Sequence, residues 1–177
     1  MTGPCQLDPA QMEAALQRLA GEVAQRLGQD NLVLLGIRSR GLPLAERLGA
    51  ALSKALGREI PVGALDITLY RDDLTELVGV PIVRPTEIPF TLKDRTILLV
   101  DDVLFTGRTI RAALDALLDH GRPKTVRLAV LVDRGGRELP IQADFTAVTL
   151  PVTGAQRVSV KVKELDGEDG VFLETRG

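Results

Sequence analysis

The 177-residue chain has no tryptophan, one tyrosine and four phenylalanines, so aromatic residues make up only 3% of it. Platforms that stack the bases of single-stranded nucleic acid have little to be built from. A single cysteine, Cys5, excludes an internal disulfide framework and fits a reducing compartment. Charge of one sign is also missing: 22 Lys and Arg stand against 24 Asp and Glu, a net charge of −2. That balance is too even to coat nucleic acid by charge alone, although it leaves room for a local basic patch. Apolar runs such as Leu32 to Leu35 and Ile97 to Val100 are far too short to span a bilayer. Met1-Thr2-Gly3-Pro4 shows no basic stretch followed by an apolar one, so no signal peptide is expected. These absences predict a soluble cytoplasmic protein with no membrane partner. What is present, 45% hydrophobic residues dominated by Leu, Val, Ile and Ala, can fill one core, and the length fits one domain over residues 1–177.

Hydrophobic spacing predicts alternating elements. Asp8, Pro9 and Gln11 read as a capped helix start, and Met12, Leu16, Leu19, Val23 and Leu27 recur at helical spacing up to Gly28. Leu32 to Ile37 reads as a buried parallel strand. A second helix runs from Gly41 to about Leu56, with Leu44, Leu48, Leu52 and Leu56 on one face. Pro61 to Tyr70 alternates like a strand. A long charged and Pro-punctuated connection follows, and such connections inside a compact domain are usually functional. Thr96 to Val100 reads as a strand, Gly107 to His120 as a helix and Thr125 to Val132 as a strand. His120 and Gly121 read as a helix end, a cation and a left-handed cap. Arg134 to Leu150 is polar and turn-rich, and Val158 to Val162 alternates like a solvent-facing strand. The acidic run Asp166 to Gly170 lacks calcium-loop spacing and reads as a turn before Val171-Phe172-Leu173. The order predicts an α/β fold with a mostly parallel, twisted sheet flanked by helices.

The chemistry concentrates in one segment. Four apolar residues, Ile97 to Val100, run into Asp101 and Asp102. Then Val103-Leu104-Phe105 leads to Thr106-Gly107-Arg108-Thr109, which opens a helix. Ligands of open α/β sheets sit at the carboxyl ends of strands, and a helix N-terminus favours a phosphate. Thr106 and Thr109 add hydroxyls, and Gly107 lets the backbone approach closely. Paired carboxylates can accept hydrogen bonds from two vicinal hydroxyls and help hold Mg²⁺. Phosphate donors beside diol acceptors describe a ribose 5-phosphate site. Other phosphate motifs fail: Gly36 and Gly41 have Walker-like spacing, but Leu42-Pro43 stands where Lys and Ser or Thr are required, and no Gly-x-Gly-x-x-Gly follows a strand. The plainer alternative is that the two acids merely end a strand while Thr106 caps a helix.

Residues 97–109 resemble the 5-phosphoribosyl 1-pyrophosphate (PRPP) signature of type I phosphoribosyltransferases. That resemblance implies that Asp101 and Asp102 hold the ribose hydroxyls and Mg²⁺, and that residues 105 to 109 hold the 5-phosphate. Arg38-Ser39-Arg40-Gly41 resembles the family's pyrophosphate loop, which often carries a cis peptide. Two further stretches, Asp66 to Leu74 and Leu131 to Ile141, are similar to the PyrR family of pyrimidine operon attenuation regulators, and the similarity runs over nearly the whole chain. It implies a small hood, mainly residues 133–157 with the N-terminal region, and a flexible β-loop lid over about residues 71–86. It implies that Asp101, Asp102, Arg40 and Arg71 serve catalysis and that uracil sits near Val132, Asp133 and Arg134. It further implies a homodimer or larger assembly that makes UMP from uracil and PRPP and, with UMP bound, binds the leader RNA of a pyrimidine operon. Arg18, Arg26, Arg137 and Arg157 are the RNA-binding candidates by charge and location. The chain departs from the family pattern at Gly136, where His is common, at Gln142, where Arg is common, and over Ala143 to Leu150, which lacks the usual Lys. Two other readings stay open: a transferase for hypoxanthine or guanine with no RNA role, and a nucleotide-sensing RNA-binding regulator with negligible turnover.

Overall fold

The computed structural model describes residues 3–76 and 78–175. Met1, Thr2, Arg176, Gly177 and Leu77, the last inside the expected lid, lie outside the described residues. In chain order the elements are β1 (Cys5–Leu7), α1 (Pro9–Leu27), β2 (Leu32–Ile37), α2 (Gly41–Leu56), β3 (Val62–Leu65), two single 3₁₀ turns (Thr68–Tyr70 and Leu74–Glu76), β4 (Thr96–Leu104), α3 (Arg108–Leu118), β5 (Thr125–Asp133), β6 (Phe145–Thr149), β7 (Gln156–Lys161), α4 (Lys163–Asp166) and β8 (Gly170–Thr175).

Five strands form one sheet in the order β3-β2-β4-β5-β6, every neighbouring pair parallel. A second, antiparallel sheet has the order β1-β8-β7. Two apolar clusters flank the main sheet. The first joins α1, α2 and the inner residues Val158, Val160, Val162 and Val171 of the small sheet region to Leu34, Leu98 and Ala129. The second packs Ile110, Ala113 and Leu117 of α3 on Leu35, Leu99 and Val130. Successive strand residues point to opposite faces, so Leu34 and Leu98 serve one cluster while Leu35 and Leu99 serve the other. This is why these strands read as unbroken apolar runs. Helix α1 starts as its sequence predicts: the Asp8 carboxylate accepts from Gln11 N–H at 2.8 Å, and the Gln11 side chain accepts from Asp8 N–H at 2.9 Å.

Several boundaries differ from the sequence expectation. β3 ends at Leu65 because the Asp66 carboxylate accepts from Thr68 N–H and from Arg84 N–H, turning the chain out of the sheet. β4 runs four residues beyond Val100, so the acid pair sits within the strand. Helix α3 stops at Leu118, and His120 bonds the Ala116 carbonyl through Nδ1 at 2.9 Å. Cys5 near the N-terminus pairs with Phe172 in the small sheet. The polar stretch after Arg134 holds β6, whose Phe145 is fully buried and lies 4.3 Å beneath the Arg26 guanidinium. Phe145→Ala should therefore cost about 3–5 kcal/mol of stability, whereas Arg26→Ala should cost only about 1 kcal/mol. Urea unfolding of the two variants measures both.

Candidate functional site

β2 makes its last pair with β4 at Gly36 and Val100, while β4 continues alongside β5 to the pair Leu104 and Asp133. The helix that follows β2 packs on one face of the sheet and the helix that follows β4 on the other. The chain thus diverges at the carboxyl ends of β2 and β4, the topological switch point where open α/β sheets bind ligands. The start of α2 is pressed into this fork. A Cβ on Gly36 would lie 2.4 Å from Leu42 Cα, and a Cβ on Gly41 would lie 2.4 Å from the Val100 carbonyl oxygen. Two glycines therefore bring Arg38-Ser39-Arg40 against the strand that carries the acids. The Arg38–Ser39 peptide is cis, where the resemblance places one.

Asp101 is buried and Asp102 half-buried. Asp101 accepts from Asp102 N–H at 2.9 Å, and Asp102 accepts from Val103 N–H at 2.8 Å. Burial, and then the neighbouring Asp102 charge, push the Asp101 carboxyl well above the usual carboxylate range. A buried acid pair of this kind favours hydroxyl donors or a cation. Among the described residues no group of three or more His, Cys, Asp or Glu side chains is arranged to hold a metal. A divalent ion at Asp101 and Asp102 would have to take its other ligands from substrate oxygens and water.

Beyond the acids the chain turns at Phe105 to Gly107 and enters α3. Gly107 has φ +93°, in the left-handed region, and Arg108 N–H donates to Thr106 Oγ1 at 3.2 Å. The carbonyls of residues 104 to 106, leading into this turn, are engaged by the segment that follows β5. Leu104 O accepts from Arg134 N–H, Phe105 O from Arg137 Nη1, and Thr106 O from the N–H groups of Glu138 and Leu139, at 2.9–3.1 Å. Carbonyl oxygens repel a phosphate, so engaging them elsewhere leaves the turn's donors to face an anion. A cavity of about 340 Å³ opens here between Phe105, Thr106, Arg108 and Thr109 on one side and Arg71, Asp72 and Asp73 on the other.

The fold brings some candidate residues together and separates others. Arg40 makes a two-pronged bond to Asp166, at 2.7 and 3.2 Å. That bond holds its guanidinium above its ordinary pKa, with a smaller contribution from the charge of Asp102. Arg38 donates to Pro85 O at 2.9 Å and so ties the pyrophosphate-type loop to the end of the expected lid. Arg71 pairs with Asp73, while Arg108 bridges Asp72 of the lid at 2.7 Å and Glu138 at 2.8 Å. Val132 is buried in β5, and the Asp133 carboxylate accepts from Gly135 N–H and Arg137. The Arg134 guanidinium lies 3.8 Å over the Phe105 ring. Gly136 has φ +81°, and a Cβ there would come within 2.7 Å of the same ring, so the departure from His suits the Phe105 position in this chain.

The four RNA candidates do not gather on one patch of free cations. Arg18 and Arg26 donate to the carbonyls of Ala147 and Asp144, at the edge strand β6, at 2.8 and 2.9 Å. Arg137 braces the turn after β4, and Arg157 on β7 pairs with Glu174 at 3.4 Å. Sequence reading missed the partners of the site cations: Asp72, Glu138 and Asp166. The one available signal was the acidic run from Asp166, read only as a turn.

Residues 6–165 match the phosphoribosyl transferase domain family. The chain is 54% identical over 171 residues to "Bifunctional protein PyrR" of Pelotomaculum thermopropionicum, covering 96% of this chain and 94% of that protein. It is 55% identical over 168 residues to the Deinococcus radiodurans protein of the same description, covering 94% and 92%. Among solved structures it is similar to the hypoxanthine phosphoribosyltransferase of Trypanosoma cruzi, with a TM-score of 0.73, 14% identity and coverage of 99% and 98%, which bears on the fold alone.

The raised Asp101 pKa has a thermodynamic sign. Between the ordinary carboxylate value, about 4, and the higher folded value, the folded state binds more protons than the unfolded one, so stability falls as pH rises through that window. Asp101→Asn removes the penalty. Its thermal midpoint should exceed that of the parent at pH 7, and the gap should close as pH approaches about 4. Melting curves across that range check both signs.

Proposed function

The chain belongs to the phosphoribosyl transferase domain family and to the PyrR group within it, and on that premise we propose that it makes UMP and pyrophosphate from uracil and PRPP and binds pyrimidine-operon leader RNA when UMP is present. The observation that carries the transferase half is the acid pair within β4, followed by the Thr106-Gly107-Arg108-Thr109 turn, at the fork between β2 and β4. Asp101 and Asp102 hold the two ribose hydroxyls, and the turn from Phe105 to Thr109 holds the 5-phosphate. Arg38 and Arg40 lie on the side from which pyrophosphate leaves.

A base nitrogen forms its bond to C1 as the C1–oxygen bond to pyrophosphate breaks, through a transition state with oxocarbenium character. No protein nucleophile is required, so catalysis rests on positioning and on neutralising the leaving group. Mg²⁺ bound with PRPP would supply part of that neutralisation, and its charge would favour the ionised form of the Asp101 and Asp102 carboxyls that would hold it. Arg40 would exchange Asp166 for pyrophosphate. The lid from residue 71 to about 86, rooted at Asp66 and at the Arg38–Pro85 bond, closes over the site and excludes water that would hydrolyse PRPP. Arg71, now paired with Asp73, is the lid cation that can turn inward. Uracil sits between the Phe105 side of the turn and Val132, Asp133 and Arg134.

The regulatory half is supported by the bifunctional relatives at 54–55% identity. Because Arg18, Arg26, Arg137 and Arg157 all have partners within the chain, RNA must either displace those partners or use other cations. The same family relation supports a cytoplasmic homodimer.

Purified protein with uracil, PRPP and Mg²⁺ should form UMP, and Asp102→Asn should keep its fold while losing roughly 100-fold or more in turnover. Activity on hypoxanthine or guanine in place of uracil would overturn the base assignment. No turnover on any base would leave a nucleotide-sensing regulator. Arg137→Ala, which releases the Phe105 carbonyl, should raise the KM for PRPP as well as weaken RNA binding. An effect on RNA alone would return Arg137 to the RNA surface.

A further inference from the structure

The opposite end of the main sheet carries a second concentration of charge, and it does not depend on the reading above. Two loops meet there, residues 91–95 ahead of β4 and residues 119–124 ahead of β5. Thr96 and Asp101 are five residues apart on an extended strand, so this end lies about 16 Å from the acid pair. Lys93, Arg122 and Lys124 are exposed, and none has a hydrogen-bonding or ion-pairing side-chain partner among the described residues. Arg95 beside them donates to the neutral Asn31 Oδ1 at 2.9 Å, so its charge is not cancelled either. Asp94 is the one acid among the residues lining the cavity of about 500 Å³ that these loops enclose. This contrasts with the reaction end, where Arg40, Arg71 and Arg108 are each held by a carboxylate.

A second cavity of about 370 Å³ adjoins the first and shares Lys93 and Arg122 with it. Its other walls are Ile88, Phe90, Leu92 and His120. Ile88 and Phe90 are half-buried and pack on the apolar cluster under α3, which holds them in place. His120 bonds Ala116 O through Nδ1, which leaves Nε2 for a ligand. A cationic basin joined to an apolar, aromatic-walled recess matches a ligand with an anionic end and a flat apolar end. The combined size is in the range of small-molecule sites.

We propose that this cleft binds a nucleotide unit, with its phosphates on Lys93, Arg122 and Lys124 and its base against Phe90 and Ile88. The unit can belong to a free nucleoside triphosphate or to an RNA strand, since both present the same phosphate and base. Among the described residues the three cations have no partners to give up, so phosphate binding there breaks no ion pair among them. His120 lines the recess, where its Nε2 is available to a ligand.

Isothermal titration of the full chain with UTP, ATP, inorganic tripolyphosphate and a short single-stranded RNA tests this, with the Lys93→Ala/Arg122→Ala double variant and Phe90→Ala alongside. Both cations are exposed, and neither belongs to the proposed catalytic machinery, so turnover of the double variant should equal that of the parent and serves as the folding control. The expected result is a binding event, distinct from that at the reaction site, which the double variant weakens roughly 10- to 100-fold. Phe90→Ala should weaken UTP and ATP but leave tripolyphosphate unchanged. A loss confined to free nucleotides would identify a small-molecule effector site, and a loss confined to RNA would identify a strand-binding site; either supports the proposal. Superimposable isotherms of parent and double variant for every probe would overturn it. Tripolyphosphate binding as tightly as UTP, with Phe90→Ala silent, would overturn the nucleotide assignment and leave only a phosphate patch.

Discussion

The parting of β2 and β4 is the constraint on which the rest of the structure depends. Two parallel strands share a ladder up to Gly36 and Val100, and then one turns away while the other continues. The continuing strand is left without a neighbour on one side over the residues that bear the two acids. The loop after β2 packs against β4 there, and glycines at 36 and 41 let it come within contact distance. A leucine or valine at either glycine would prise α2 off the sheet and move the arginine loop away from the acids. The crevice is therefore a consequence of strand length and of missing side chains, before any catalytic group is considered.

Charge in the crevice is arranged in two opposite ways. The cations arrive paired: Arg40 with Asp166, Arg71 with Asp73, and Arg108 with Asp72 and Glu138. Partly exposed pairs of this kind contribute no more than about 1 kcal/mol each. An anion with several negative charges can displace such carboxylates at small cost; Asp72 and Asp73 lie in the stretch after β3, Glu138 after β5 and Asp166 in α4. Among the described residues the acids of β4 have no ion-pair partner, and burial, then the Asp102 charge, hold Asp101 against its ionised form. The cations of the site are thus held by carboxylates, while its buried acid is held against its charged form. Ligand hydroxyls and an accompanying cation relieve the anions, which is a stability cost turned towards binding.

Local pattern carried much of this in advance. Helices α1, α2 and α3 follow from apolar spacing, and the motif in β4 is contiguous, so a strand, an acid pair and the turn into α3 could be read together. What escaped was non-local. Phe145 to Thr149 is five residues within a polar stretch, and it is a strand only because β5 offers a free edge and α1 covers Phe145. The run from Pro61 to Tyr70 alternates throughout, yet Asp66 breaks it by accepting a backbone N–H from Arg84, eighteen residues on. Arginines were the hardest to place. Arg18 meets a carbonyl 129 residues away in sequence, and nothing in its neighbours distinguishes such an anchor from a free surface cation. Asp166 was legible as acidic but not as the partner of Arg40.

The distribution of unpaired charge gives the molecule a direction that its net charge of −2 conceals. Fields from paired ions fall off quickly, because each cation and its carboxylate act as a small dipole. The field of an unpaired cluster reaches about one Debye length, roughly 8 Å at physiological ionic strength. The carboxyl ends of the strands, where Arg40, Arg71 and Arg108 are neutralised, therefore present little net field despite their many charges. The amino ends, with Lys93, Arg122 and Lys124 opposed by Asp94 alone among the lining residues, present a larger one. The amino ends also hold Asp30 and Asp119, but these are engaged by Thr96 and Tyr70, whereas the cations of the carboxyl ends are engaged by carboxylates. Paired and unpaired cations thus sit at opposite ends of one parallel sheet, a separation that the even overall charge does not reveal.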